Sequence, residues 1–158
     1  MDIKPYCFVF IGLPGSGKST LASEFSETFN APICSADFFH MKDGKYNWKP
    51  ENVGKAHEAC KFMFQKCINN EESVIVDNTN VKPSDYIYYI DTAEEAGYQI
   101  FFVEPNTPWC MDVNECYIRN THGVPLATLE KMYNSLLYTK TLPSKYKRIN
   151  SIEQVMEI

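Results

Sequence analysis

Gly12-Leu13-Pro14-Gly15-Ser16-Gly17-Lys18-Ser19, with Thr20 behind it, is the stretch that decides how this 158-residue chain is read. It fits G-x-x-x-x-G-K-[ST], a loop that wraps phosphate. Its glycines allow the positive φ that curls the backbone and turns successive N–H groups toward an anion. Lys18 is placed to reach the β and γ phosphates of a nucleotide, and the Ser19 hydroxyl to ligate Mg²⁺. The helix expected to follow points its positive dipole end at the same charge.

The flanks agree with this reading. Before the loop, Tyr6-Cys7-Phe8-Val9-Phe10-Ile11 is an apolar, aromatic and β-branched run suited to a buried strand. After it, Leu21, Ala22, Phe25 and Phe29 recur at helical spacing, with Ser23, Glu24, Ser26 and Glu27 on the other face. Further along, strands are expected at 32–36, 73–77 and 98–103, and helices at 50–68 and from Pro83 to a stop at Gly97. Lys42 to Lys45 reads as a loop. Thr107-Pro108 resembles an N-cap and a first-turn proline, which predicts a helix reaching about Asn120. The turn 122–125 then leads into a helix carrying Leu126, Leu129, Met132, Leu136 and Leu137. Residues 151–158 show no clear pattern. Strands alternating with helices favour a parallel sheet covered on both faces, and the length suggests one domain.

Bulk properties narrow the function classes. No apolar run approaches the roughly 20 residues that span a bilayer. The first residues run straight into a strand and leave no room for a signal peptide. The six cysteines form no C-x-x-C pair; Cys7 and Cys34 fall in apolar strand-like runs and Cys60 and Cys67 in a helical pattern, which predicts free core thiols, and the phosphate loop implies a reducing compartment, cytoplasmic or nuclear. A net charge of −5 disfavours extensive binding to duplex nucleic acid. Two basic segments, Lys42/Lys45/Lys49 and Lys140/Lys145/Lys147/Arg148, read either as solvated faces or as holders of a few phosphates of a short single strand.

Ligands of open α/β sheets bind beyond the carboxyl ends of the strands. Two such ends carry carboxylates, Asp37 after the second strand and Asp77 closing Val74-Ile75-Val76-Asp77. Asp37 is the candidate general base, able to take a proton from an attacking hydroxyl. Asp77 is a candidate metal or water-network residue, or a turn former beside Asn78. Arginine is scarce: Arg119 precedes the turn 120–123, where a lid could close over phosphates, and Arg148 lies in the basic tail. His122 is a candidate donor or partial cation in that turn. Phe38, Phe39, Tyr46 and Trp48 are candidate stacking platforms for bases, or simple packing residues.

These residues fall in stretches that, in order, resemble the polynucleotide-kinase-like P-loop kinases: GLPGSGKSTLA (12–22), SADFF (35–39), DGKYNW (43–48), AHEAC (56–60), VIVDNTN (74–80), AGYQIFFVEPNTPW (96–109) and RNTHGVP (119–125). The set is most similar to the kinase domain of Nedd4-binding proteins and is related to phage polynucleotide kinase. The resemblance implies a three-layer α/β/α fold with a parallel sheet of four to five strands and a helical lid. It implies ATP with Mg²⁺, and γ-phosphate transfer to a hydroxyl, the 5′-OH of single-stranded RNA or DNA in polynucleotide kinases. Asp37 falls on the family's base, Lys18 and Ser19 on its loop residues, and Arg119 on a lid arginine. Asp77, Thr79 and Asn80 fall on the motif closing the third strand. His40, Thr79, Asn80 and His122 are the expected acceptor-side residues. Phage-type enzymes carry arginine where His40 stands and a second lid arginine close to His122. A small hydroxyl compound as acceptor, or an ATP-binding switch with little catalysis, are the alternative readings.

Overall fold

The computed structural model describes residues 4–157. β1 (Tyr6–Phe10) runs into the Gly-rich loop and α1 (Lys18–Phe29). β2 (Ile33–Cys34) is followed by a 3-10 turn, Ala36–His40, and by a two-stranded hairpin of β3 (Met41–Lys42) and β4 (Lys45–Tyr46). Then come α2 (Val53–Asn69), β5 (Val74–Asp77), α3 (Pro83–Glu95), β6 (Gln99–Val103), α4 (Val113–Arg119), α5 (Leu126–Thr141) and β7 (Lys147–Ile149). Five strands form one sheet in the order β2-β5-β1-β6-β7, every pair parallel. β1 is central, and Phe10 lies opposite Asp77, so the loop leaving β1 starts beside that carboxylate.

Alternation along the strands builds two apolar layers. Phe8, Phe10, Ile75, Phe101 and Val103 face α1 and enclose Ala22 and Phe25. The Phe25 ring meets Phe8 and Phe10 edge-on at 5.0 and 5.3 Å. Cys7, Val9, Val74, Val76, Ile100 and Phe102 face the other way, against Ala56, Cys60 and Phe64 of α2, Tyr89 and Ile90 of α3, and Leu129 and Leu136 of α5. This is the three-layer α/β/α arrangement with a parallel sheet that the resemblance implied. Among the described residues no helix is long and apolar enough to cross a membrane. All six cysteines are free, as expected.

Three local expectations change. The helix predicted from Thr107-Pro108 opens at Val113, because Asp112 is the stronger cap: its carboxylate accepts from the Glu115 N–H at 3.1 Å. Residues 107–112 form turns that serve the phosphate loop instead. The loop at 42–45 closes a hairpin, since Asp43 and Gly44 both take positive φ, +53° and +76°, as a two-residue turn between paired strands requires. The basic segment 140–148 is largely committed within the chain. Arg148 donates to the carbonyls of Thr139, Lys140 and Leu142 at the end of α5, Lys140 pairs with Glu104 at 3.6 Å, and Lys145 pairs with Glu94.

Candidate functional site

The phosphate loop is held by what surrounds it. Gly15 and Gly17 sit at φ +80° and +97°. A Cβ on Gly15 would fall 2.3 Å from the Cys116 carbonyl oxygen and 2.9 Å from the Asn120 nitrogen, so only glycine lets the end of α4 come this close. A Cβ on Gly17 would meet Thr107 Cγ2 at 2.8 Å. The Thr107 hydroxyl donates to the Ser16 carbonyl at 2.8 Å, and the Trp109 indole N–H donates to the Gly15 carbonyl at 3.0 Å. Thr107 and Trp109 are thus a scaffold for the loop, a role the sequence patterns did not point to.

Lys18 and Asp77 meet beneath the loop. Lys18 Nζ lies 2.7 Å from Asp77 Oδ1, both side chains nearly buried, and the Ser19 hydroxyl donates to Asp77 Oδ2 at 3.4 Å. The expected cation, hydroxyl and carboxylate therefore share one point at the ends of β1 and β5. This donor set fits a nucleotide phosphate and its magnesium ion: a positive-φ cradle of backbone, one ammonium, one hydroxyl and one carboxylate, with the buried Ser16 hydroxyl lacking any partner among the described residues.

From this loop a cleft of about 710 Å³ extends toward the 3-10 turn, the hairpin and the segment between α4 and α5. Leu13, Pro14, Gly15, Gly17, Lys18, Ser19 and Thr20 line its donor end, while Gly12 and Ser16 stand behind. Asp37 lies at the other end. Its backbone N–H is held by the Ser35 hydroxyl at 3.2 Å, the N-cap bond of the short turn. Its carboxylate, 43% exposed, has Oδ1 3.3 Å from the Tyr46 hydroxyl and Oδ2 3.5 Å from His122 Nδ1. The Tyr46 and His122 rings lie parallel, centroids 3.9 Å apart. Burial, followed by the Asp37 charge, pushes the Tyr46 phenol well above its ordinary range, so it stays a neutral donor.

Arg119 lines the cleft from the end of α4. Its Nε lies 2.8 Å from Glu115 Oε1, and its guanidinium stacks 3.6 Å over the Trp109 ring. Thr79 lines the cleft, and its carbonyl accepts from the Gly12 N–H at 3.0 Å. His40 lines it too, buried, with Nδ1 lacking a partner among the described residues and Tyr46 edge-on at 5.8 Å. Asn80 is placed otherwise than expected of an acceptor contact. It is buried at φ +48° behind the cleft wall, and its amide donates to the Phe10 carbonyl at 2.8 Å, securing the end of β1. Sequence reasoning missed His57 and Asn78, which also line the cleft. Asn78 Oδ1 accepts from the Ala36 N–H at 2.9 Å, tying the turn that carries Asp37 to the end of β5. With His57, all three histidines of the chain border this one cleft. Burial pushes the Cys116 thiol up to about 11, and raises that of Cys60 beside Asn78.

A family described as an AAA domain matches residues 8–136, which carry the loop, Asp37, Asp77 and Arg119. The chain belongs to that P-loop family. Its relatives are those of the polynucleotide-kinase-like kinases. Human (Homo sapiens) NEDD4-binding protein 2 is 31% identical over 151 residues, covering 87% of this chain but 8% of that protein. The 2′,3′-cyclic-nucleotide 3′-phosphodiesterase of Rattus norvegicus is 28% identical over 127 residues, covering 79% of this chain and 30% of that enzyme. The chain thus corresponds to a minor part of each. Among solved structures, a chain of the Pnkp1/Rnl/Hen1 RNA repair complex superposes with a TM-score of 0.70 at 25% identity, over 89% of this chain and 47% of that one. A gluconokinase from Sinorhizobium meliloti 1021 shares the fold, with a TM-score of 0.60 at 20% identity over 94% and 83% of the two chains.

Proposed function

We propose that the protein transfers the γ-phosphate of ATP to a hydroxyl group, the 5′-OH of a polynucleotide. The observation that carries this is one cleft bordered by Lys18, Ser19, Asp37 and Arg119, with Asp77 paired to Lys18 beneath the loop. Lys18 neutralises the β- and γ-phosphate oxygens. Asp37 accepts the proton of the acceptor hydroxyl as its oxygen bonds to the γ-phosphorus and the bond to ADP breaks. Arg119 leaves its Glu115 partner to meet the charge spread over the equatorial oxygens. Ser19 and Asp77 are the residues that would hold Mg²⁺, the ion that supplies charge neutralisation to the transferring group. The polynucleotide acceptor draws support from relatives that include a chain of an RNA repair complex and an enzyme acting on cyclic nucleotides.

One observation favours a smaller acceptor. The fixed cations bordering the cleft, Lys18 and Arg119, both serve the phosphate end, and the acceptor end holds His40 and His57 instead. Incubation with γ-labelled ATP, Mg²⁺, 5′-OH RNA, 5′-OH DNA and nucleosides decides between the two. Label on an oligonucleotide 5′ end, reduced about 10²- to 10⁴-fold in Asp37→Asn, is the expected outcome. Label on nucleosides alone shifts the reading to a small-molecule kinase. ATP binding with no transfer to any hydroxyl would leave the switch reading in its place.

A further inference from the structure

Asp37 stands on a five-residue 3-10 turn with its carboxylate 43% exposed. Backbone bonds hold its main chain but leave the rotation of its carboxylate free. Two side chains from separate segments restrain that rotation. Tyr46 of β4 donates to Oδ1 at 3.3 Å, and His122 of the segment between α4 and α5 lies 3.5 Å from Oδ2 through Nδ1. The two rings stack on each other at 3.9 Å with 13° between their planes. Resting on the reading of Asp37 as the base, we propose that Tyr46 and His122 are its positioning residues, a clasp between hairpin and lid that holds the carboxylate toward the acceptor hydroxyl.

The chemistry is economical. A carboxylate oxygen has two lone-pair sites, so each oxygen can accept from its clasp partner and still take a proton from the acceptor. Phenol and imidazole are stiff, with two χ angles each, and stacking them fixes both at little entropic cost. Contacts of 3.3–3.5 Å are long for hydrogen bonds, and the clasp tightens when acceptor and nucleotide close the cleft. His122 lies three residues beyond Arg119, so one segment brings both the charge-stabilising arginine and the restraint on the base. Donor-side and acceptor-side closure become a single movement.

The test separates the polar contacts from the stack. Tyr46→Phe and His122→Phe keep two stacked rings and remove one partner of the carboxylate each. With γ-labelled ATP and a 5′-OH RNA hexamer, or adenosine as the second acceptor, kcat falls about tenfold in each variant while the KM for ATP stays unchanged. In an Asp37→Asn background neither change has a further effect, because both act through the same carboxylate. Wild-type kcat in both single variants, with Asp37→Asn inactive, overturns the clasp and leaves the base standing. An active Asp37→Asn, or no transfer to either acceptor by the wild type, overturns the base and the clasp with it. A readout independent of turnover is the His122 imidazole proton resonance. Ring-current shielding in the wild type and in Tyr46→Phe, lost in Tyr46→Leu, supports the stack, and an unshielded wild-type resonance overturns it.

Discussion

The two ends of the cleft are built by opposite strategies. At the phosphate-loop end, the loop and its lysine are set by backbone and burial: a cradle pressed against Cys116 and Thr107, and a nearly buried Lys18–Asp77 pair at 2.7 Å. At the other end, Asp37, Tyr46 and His122 sit on a short turn, a hairpin and the segment between α4 and α5, partly exposed, with Asp37 contacting the other two at 3.3–3.5 Å. Phosphate is common to all nucleotides and rewards a rigid cradle. Acceptors differ, and the elements proposed to meet them are the ones with the least packing to constrain them.

Substitutions can sharpen that contrast. The largest effect is expected for Lys18→Met. Transfer falls about 10³-fold with the loss of a phosphate-clamping charge. Asp77 is left buried without its cation, so stability in urea unfolding falls by about 3 kcal/mol. Arg119→Ala also reduces kcat about 10³-fold, at the low end of what a charge-stabilising arginine supplies. Its unfolding midpoint barely moves, since the Glu115 pair is exposed and contributes under about 1 kcal/mol. A large drop in stability there would break the contrast, by making the lid part of the rigid half. Gly15→Ala is expected to cost about 3 kcal/mol, from positive φ plus the clash with the Cys116 carbonyl. The smallest effect belongs to Gly44→Ala at the hairpin tip. It has nothing within 4 Å and a φ of +76°, so only about 1 kcal/mol of backbone strain is at stake.

The same contrast explains what could be read without coordinates. The loop, the buried strands and the two carboxylate-bearing strand ends follow from local patterns: a fixed glycine spacing, apolar runs, and an aspartate closing a strand. Their placement beside one another follows from the parallel sheet. The Asp43-Gly44 turn was a readable hairpin signal, masked by strands of only two residues on either side. β7 has three residues and one buried side chain, Ile149, too little for a periodic pattern. Contacts such as Trp109 to Gly15, or Tyr46 to Asp37, join residues that only the tertiary fold brings together. Asn80 shows the reverse case: its motif position suggested ligand contact, while its side chain closes the end of β1 from behind.

The chain has two tryptophans, and both border the cleft, Trp109 donating to the Gly15 carbonyl and Trp48 beside His40. Each indole is therefore a built-in optical reporter for a different ligand. Replacing Trp48 by phenylalanine leaves an emission from beside the phosphate loop, and replacing Trp109 leaves one from beside the Asp37 turn, where the proposed acceptor would sit. If the proposed transfer holds, the order in which nucleotide and acceptor arrive can be timed from the protein's own light.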